Sequence, residues 1–172
     1  MTQNCTLQAE LVEAARRVVQ ANILAGRRIV VAESCTGGLV SASITEIPGS
    51  SEIFEAGFVT YSNEMKLSLL GVSLDLLETF GSVSIAVAWA MAQGALEKTN
   101  ADVAVAITGI AGPDGGSAQK PVGRVVFALA TRDGDPNEVV ADSRDFGDLG
   151  RGGVRLQAAL CALELLMPEA AL

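Results

Sequence analysis

Two apolar runs that end in hydroxyls and glycines constrain this chain more than any other feature. Ile29-Val-Val-Ala32 breaks off into Glu33-Ser-Cys-Thr-Gly-Gly38, and the run Asp102–Ile107 opens into Thr108-Gly-Ile-Ala-Gly-Pro-Asp-Gly-Gly116. A short apolar run without alternation reads as a strand buried on both faces, and such strands belong to sheets covered by helices. If both strands are parallel, the small residues after them share one sheet edge. That carboxyl edge is where α/β proteins bind ligands.

Length and composition agree with this reading. A chain of 172 residues suits one domain over 1–172 with a single substantial core. Hydrophobic residues make up 49% but aromatics only 4%, so the core is built from Val, Ile, Leu and Ala. A formal charge of −8 opposes generic binding to nucleic acid or to an anionic membrane surface. The first residues lack the basic-then-apolar order of a signal peptide, and no run reaches the ~20 apolar residues that span a bilayer. Cys5, Cys35 and Cys161 are odd in number and widely spaced, as expected of reduced thiols in a cytoplasmic protein.

Taken in order, the pattern predicts an amphipathic helix over 6–26, with Leu7, Leu11, Ala14 and Val18 inward and Gly26 ending it. A strand follows over Arg27–Ala32, then a small-residue helix over Thr36–Glu46 and a turn at Pro48–Ser51. Phe54–Tyr61 reads as a strand, and Asn63 as the cap of a helix over Glu64–Leu70 closed by Gly71. Helices over Ser73–Thr79 and Ser84–Thr99 precede the strand Asp102–Ile107 and the long loop Thr108–Gly123. Val122–Thr131 and Glu138–Phe146 form a hairpin about Arg132–Pro136, and Arg151–Leu166 is the closing helix. The fold class expected is α/β: three-layer α/β/α with a mixed sheet of about five strands.

The chain contains no histidine. Histidine triads, Cys–His pairs and imidazole metal sites are therefore excluded, and acid–base chemistry must use a carboxylate, Lys, Tyr or Cys. Ser34 stands at a strand-to-helix turn whose N–H groups could receive an oxyanion or a phosphate, or could merely form a cap. Lys66 falls in the first turn of a helix, where the dipole disfavours a cation; partial burial would make its amine a base. Tyr61 could orient that amine or relay a proton. Thr108-Gly-Ile-Ala-Gly-Pro-Asp-Gly-Gly116 is not a P-loop, since no Gly-Lys-Ser/Thr follows. Lys120 and Arg124 could meet a phosphate or face water. Arg151 and Arg155, one turn apart, suit either a ligand phosphate or an ion pair. Serine with a lysine of depressed pKa is the economical hydrolase arrangement without histidine, and Cys35, lacking a partner, is expected to point inward.

The motifs Ala32-Glu-Ser-Cys-Thr-Gly-Gly38, Pro48-Gly-Ser-Ser51, Gly57-Phe-Val-Thr-Tyr-Ser-Asn63 with Lys66, Thr108–Gly116 and Lys120-Pro-Val-Gly123 occur in one order along the chain. In this they resemble the CinA C-terminal domain family, whose stand-alone members include nicotinamide-nucleotide amidohydrolases. The resemblance covers about residues 8–167. It implies hydrolysis of the carboxamide of nicotinamide mononucleotide, with Ser34 as nucleophile, Lys66 as base and Tyr61 assisting. It places Thr108 and the glycines after it, Gly109 among them, at the site; Glu33, Thr36, Gly37, Gly38, Asn63 and Arg151 are the further candidate substrate-binding residues. It also implies a small-molecule nucleotide partner, a homo-oligomer and neither cofactor nor metal. Ile85 and Ala90 stand where the family carries glutamate, so a nucleotide-binding or regulatory module without turnover is the alternative.

Overall fold

The computed structural model describes residues 7–168, and Cys5 lies outside them. In chain order the elements are α1 (Ala9–Ala25), β1 (Ile29–Glu33), α2 (Leu39–Thr45), β2 (Phe54–Val59), α3 (Asn63–Leu70) and α4 (Leu74–Phe80). They continue with α5 (Ile85–Glu97), β3 (Val103–Gly109), β4 (Arg124–Thr131), β5 (Ala141–Asp145) and α6 (Gly150–Leu165). The strands form one five-stranded sheet in the order β2-β1-β3-β4-β5. β1 runs parallel to both β2 and β3, whereas β4 and β5 are antiparallel to their neighbours. The sheet is mixed and five-stranded, as the apolar runs imply.

Side chains alternate across the sheet and define two cores. Ile29, Val31, Val105, Ile107, Val125 and Phe127 pack against α1, α2 and α6. Val30, Ala32, Ala104, Ala106, Ala128 and Ala130 face the other way, against α3, α4 and α5. The second face is mostly alanine, which lets α5 lie close to β3 and β4 through Val87, Met91 and Ala95. Helices on both faces make the three layers, and none of the described helices is long and apolar enough to cross a membrane.

Several boundaries differ from the sequence-based expectation, each for a local reason. The α3 cap is Ser62, whose hydroxyl accepts from the Met65 N–H, and Asn63 is the first helical residue. Both are capping residue types, so the sequence leaves the phase open by one position. α5 is likewise capped by Ser84 through the Val87 N–H. β3 runs two residues past Ile107, because Thr108 and Gly109 stay paired with Val126 and Val125. β5 starts only at Ala141. The segment before it is drawn aside: Arg132 binds the carbonyls of Ala101, Leu96 and Thr99, Asp135 accepts from Asn137, and the Trp89 indole holds the Pro136 carbonyl.

Candidate active site

Ser34 is the first residue beyond β1, at the carboxyl end of the parallel strands. Its N–H still bonds the Ile107 carbonyl of β3 at 2.9 Å, so the backbone is anchored while the side chain is free to leave the sheet. The chain then turns through Gly37 and Gly38, both at positive φ, into α2.

The N-terminus of α2 does not offer an empty anion cradle. Glu33, fully buried, folds its carboxylate back over it. Oε2 accepts from the N–H groups of Gly38 and Val40, and Oε1 from the N–H and hydroxyl of Ser41. The Gly37 N–H bonds the Ser34 carbonyl, and the Leu39 N–H that of Thr36. The positive end of the helix is satisfied from within. Glu33 thus shapes the turn, and neither it nor Gly37 or Gly38 lines the cleft beside Ser34.

Lys66 reaches the same point from α3. Its side chain is 1% exposed, and Nζ lies 3.1 Å from Ser34 Oγ, 2.8 Å from the Thr60 carbonyl and 3.4 Å from the Tyr61 carbonyl. Among the described residues no carboxylate pairs with it. Burial pulls its pKa below the ordinary lysine value, with the Cys35 sulfur as the weaker opposing influence. A neutral amine can keep N–H bonds to the two carbonyls and turn its lone pair to the Ser34 hydroxyl.

Cys35 is buried, and burial pushes its thiol up to about 12. A thiol that stays protonated is a poor nucleophile. Tyr61 sits at the rim, with its backbone carbonyl toward Lys66 and its phenol elsewhere: Arg151 Nη2 donates to Tyr61 Oη at 3.0 Å. Arg151 Nη1 also donates to the Gly112 carbonyl at 2.9 Å, tying α6 to the loop after β3. Arg155, one turn on, donates to the Thr36 carbonyl.

A cleft of about 250 Å³ is lined by Ser34, Cys35, Tyr61, Gly109, Asp114 and Arg151, among others. Ser82 and Val83 form its opposite wall, which sequence reasoning missed. The available signal was the Gly81-Ser82 break between two helices, onto which Thr108 Oγ1 donates at the Ser82 carbonyl. Thr108 is therefore behind the wall, Thr36 is fully buried, and Asn63 is exposed beside a different hollow with Leu67 and Leu74. Ile85 is exposed and outside the cleft lining. Lys120 holds the Phe80 carbonyl and Arg124 pairs with Asp145, so both are engaged within the fold.

Comparison with known proteins is consistent in family. Residues 11–170 match the CinA C-terminal domain. Over 161 residues the chain is 48% identical to nicotinamide-nucleotide amidohydrolase PncC of Escherichia coli (strain K12), covering 94% of this chain and 95% of that protein. It is 54% identical over 147 residues to a competence-damage inducible protein of Symbiobacterium thermophilum; the match takes in 82% of this chain but only 34% of that longer protein. The crystal structure of the competence/damage inducible protein CihA from Agrobacterium tumefaciens superposes with a TM-score of 0.89 at 46% identity, covering 94% of this chain and 96% of that one.

Proposed function

The chain belongs to the CinA C-terminal domain family, and we propose that it hydrolyses the carboxamide of nicotinamide mononucleotide to nicotinate mononucleotide and ammonia. The observation that carries the reading is the buried Lys66 amine 3.1 Å from the hydroxyl of Ser34, a residue that lines an open cleft. The name of the Escherichia coli relative, matched over nearly its whole length, supplies the substrate class.

The chemistry is acyl transfer. Neutral Lys66 takes the hydroxyl proton as Ser34 Oγ bonds to the carboxamide carbon, and the carbonyl electron pair moves onto oxygen. As the tetrahedral centre collapses, the C–N bond breaks and Lys66 returns the proton to the leaving nitrogen, releasing ammonia. Water then attacks the acyl-serine, with Lys66 accepting its proton and handing it to Ser34 Oγ as the ester opens. In this reading Arg151, held at the rim by Tyr61 and the Gly112 carbonyl, receives the substrate phosphate.

The test is ammonia release from nicotinamide mononucleotide, run beside free nicotinamide. Turnover of the nucleotide that disappears in Ser34→Ala, with folding unchanged, supports the reading. Unchanged turnover in that variant overturns it.

A further inference from the structure

Acyl transfer at Ser34 requires N–H donors aimed at the developing oxyanion, and the turn after Ser34 has few to give. Gly37, Gly38, Leu39, Val40 and Ser41 all spend their N–H groups on the Ser34 carbonyl, the Thr36 carbonyl or the Glu33 carboxylate. Cys35 follows the nucleophile directly and lines the cleft, and its N–H has no oxygen partner among the described residues.

A second donor comes from the neighbouring strand. Hydrogen-bonded pairs alternate along an antiparallel ladder. The Ile110 N–H bonds Arg124 of β4, so Gly109, one residue earlier, turns its N–H away from β4 and toward β1. Ile107, two residues before it, faces the same way and accepts there from the Ser34 N–H. Gly109 is the next rung of that ladder, but β1 has ended at Glu33. Its N–H is left without a partner among the described residues, at the point where the chain departs into Ser34 and Cys35. The two segments touch: a Cβ added at Gly109 would lie 3.0 Å from Cys35 Sγ and 2.9 Å from the Arg124 carbonyl. A side chain is excluded there, and the backbone itself forms the cleft wall.

We propose that the N–H groups of Gly109 and Cys35 form the oxyanion hole for acyl transfer at Ser34, an assignment that rests on the amidohydrolase reading. Lys66 reaches Ser34 through the Thr60 carbonyl just beyond β2, and Gly109 reaches it from β3. The base and the oxyanion donors therefore approach the nucleophile from opposite sides, with the scissile carbonyl between them. One donor after the nucleophile and one from a separate segment is an arrangement that hydrolases on other folds reach independently.

Replacing the residue-109 amide with an ester, by installing glycolate in place of Gly109 in the full chain, removes this one donor and adds no side chain. The expected result is a fall in kcat of about 10²–10³-fold with KM and the pH midpoint little changed. The unfolding midpoint should fall only slightly, because the lost N–H bonds nothing in the fold and the ester merely weakens the Thr108 carbonyl as acceptor in its pair with Val126. In parallel, a fluorophosphonate that modifies Ser34 should move the Gly109 and Cys35 amide protons downfield in ¹⁵N-edited spectra. An unaltered kcat in the ester variant, or a modified Ser34 with an unmoved Gly109 amide, overturns the assignment while leaving the serine reaction standing. A wild-type protein that neither takes up the probe at Ser34 nor releases ammonia overturns the amidohydrolase reading, and the assignment with it.

Discussion

Lys66 Nζ and Ser34 Oγ lie 3.1 Å apart although one residue belongs to α3 and the other to the turn after β1. Burying a lysine without a carboxylate partner is costly, and under the proposed reaction that cost supplies a base to the Ser34 hydroxyl. Lys66→Met should therefore raise the unfolding midpoint while reducing ammonia release by at least ~10³-fold, a separation of stability from activity read by thermal unfolding and a turnover assay. Lys66→Arg should not rescue turnover, since a guanidinium cannot give up its proton near neutral pH.

The lowered pKa of Lys66 sets the direction of the pH profile. Burial favours the neutral amine, so kcat/KM should rise with pH and level off below the ~10.4 of an ordinary lysine. Stability follows the same sign. Between the lowered folded pKa and the ordinary unfolded one, the unfolded chain binds more protons, so folding free energy becomes more favourable as pH rises. Urea unfolding across that window should show an upward slope in the wild type that is reduced in Lys66→Met. Equal slopes in the two proteins would contradict a depressed amine.

Much of this arrangement is legible in the sequence because it rests on elements whose patterns are strong. The unbroken apolar runs before Ser34 and Thr108 place both residues at one sheet edge, and the absence of histidine directs attention to Lys66. What the pattern does not carry is side-chain direction over a single residue. Glu33 at a strand end could have faced a ligand; it folds back because α2 begins close enough for four donors to reach it. Tyr61 supplies a carbonyl to the lysine and a phenol to Arg151, a division of one residue between backbone and side chain that no spacing encodes. Ser82 and Val83 come to the cleft only through long-range packing of the α4–α5 bend against Thr108.

Glu33 offers a test of how the turn is held. Its carboxylate accepts four hydrogen bonds at the start of α2. Glu33→Gln replaces one acceptor oxygen with a donor that faces other donors, and should destabilise the fold by about 1–3 kcal/mol. Glu33→Ala leaves the N–H groups of Gly38, Val40 and Ser41 unsatisfied in a buried setting and should cost about 2–4 kcal/mol. In both variants kcat should fall more than substrate affinity, because the carboxylate holds the turn and not the ligand. Denaturant unfolding and steady-state kinetics separate the two effects.

The position of Lys66 depends also on Gly94. A Cβ at Gly94 would press into the Leu70 carbonyl at the end of α3, which is backbone and cannot rotate away. Gly94→Ala must push α3 off α5 and draw the amine away from Ser34. The expected outcome is a loss of about 1–3 kcal/mol of stability, as in other overpacked contacts. Ammonia release should fall by about 10-fold or more in the molecules still folded, since displacements near 1 Å are enough to cost that much. Activity normalised to folded protein by circular dichroism is the relevant reading.

Arg151 and Tyr61 offer a test of where a substrate phosphate would bind. Arg151 lies at the cleft rim with its guanidinium fixed by the Gly112 carbonyl and the Tyr61 hydroxyl, and neither partner is charged, so its positive charge is left for a ligand. Removing it should weaken binding of a phosphorylated substrate by the worth of a charge-assisted contact, about 1.5–3 kcal/mol, or roughly 10- to 150-fold in KM. kcat should change far less, because the phosphate does not alter its charge as the amide reacts. Tyr61→Phe leaves the carbonyl beside Lys66 and takes only the hydroxyl from Arg151, so a rise in KM of no more than about 10-fold is expected. A double variant that is no worse than Arg151→Ala alone would show that the phenol acts through the arginine; additive losses would show that it meets the substrate directly.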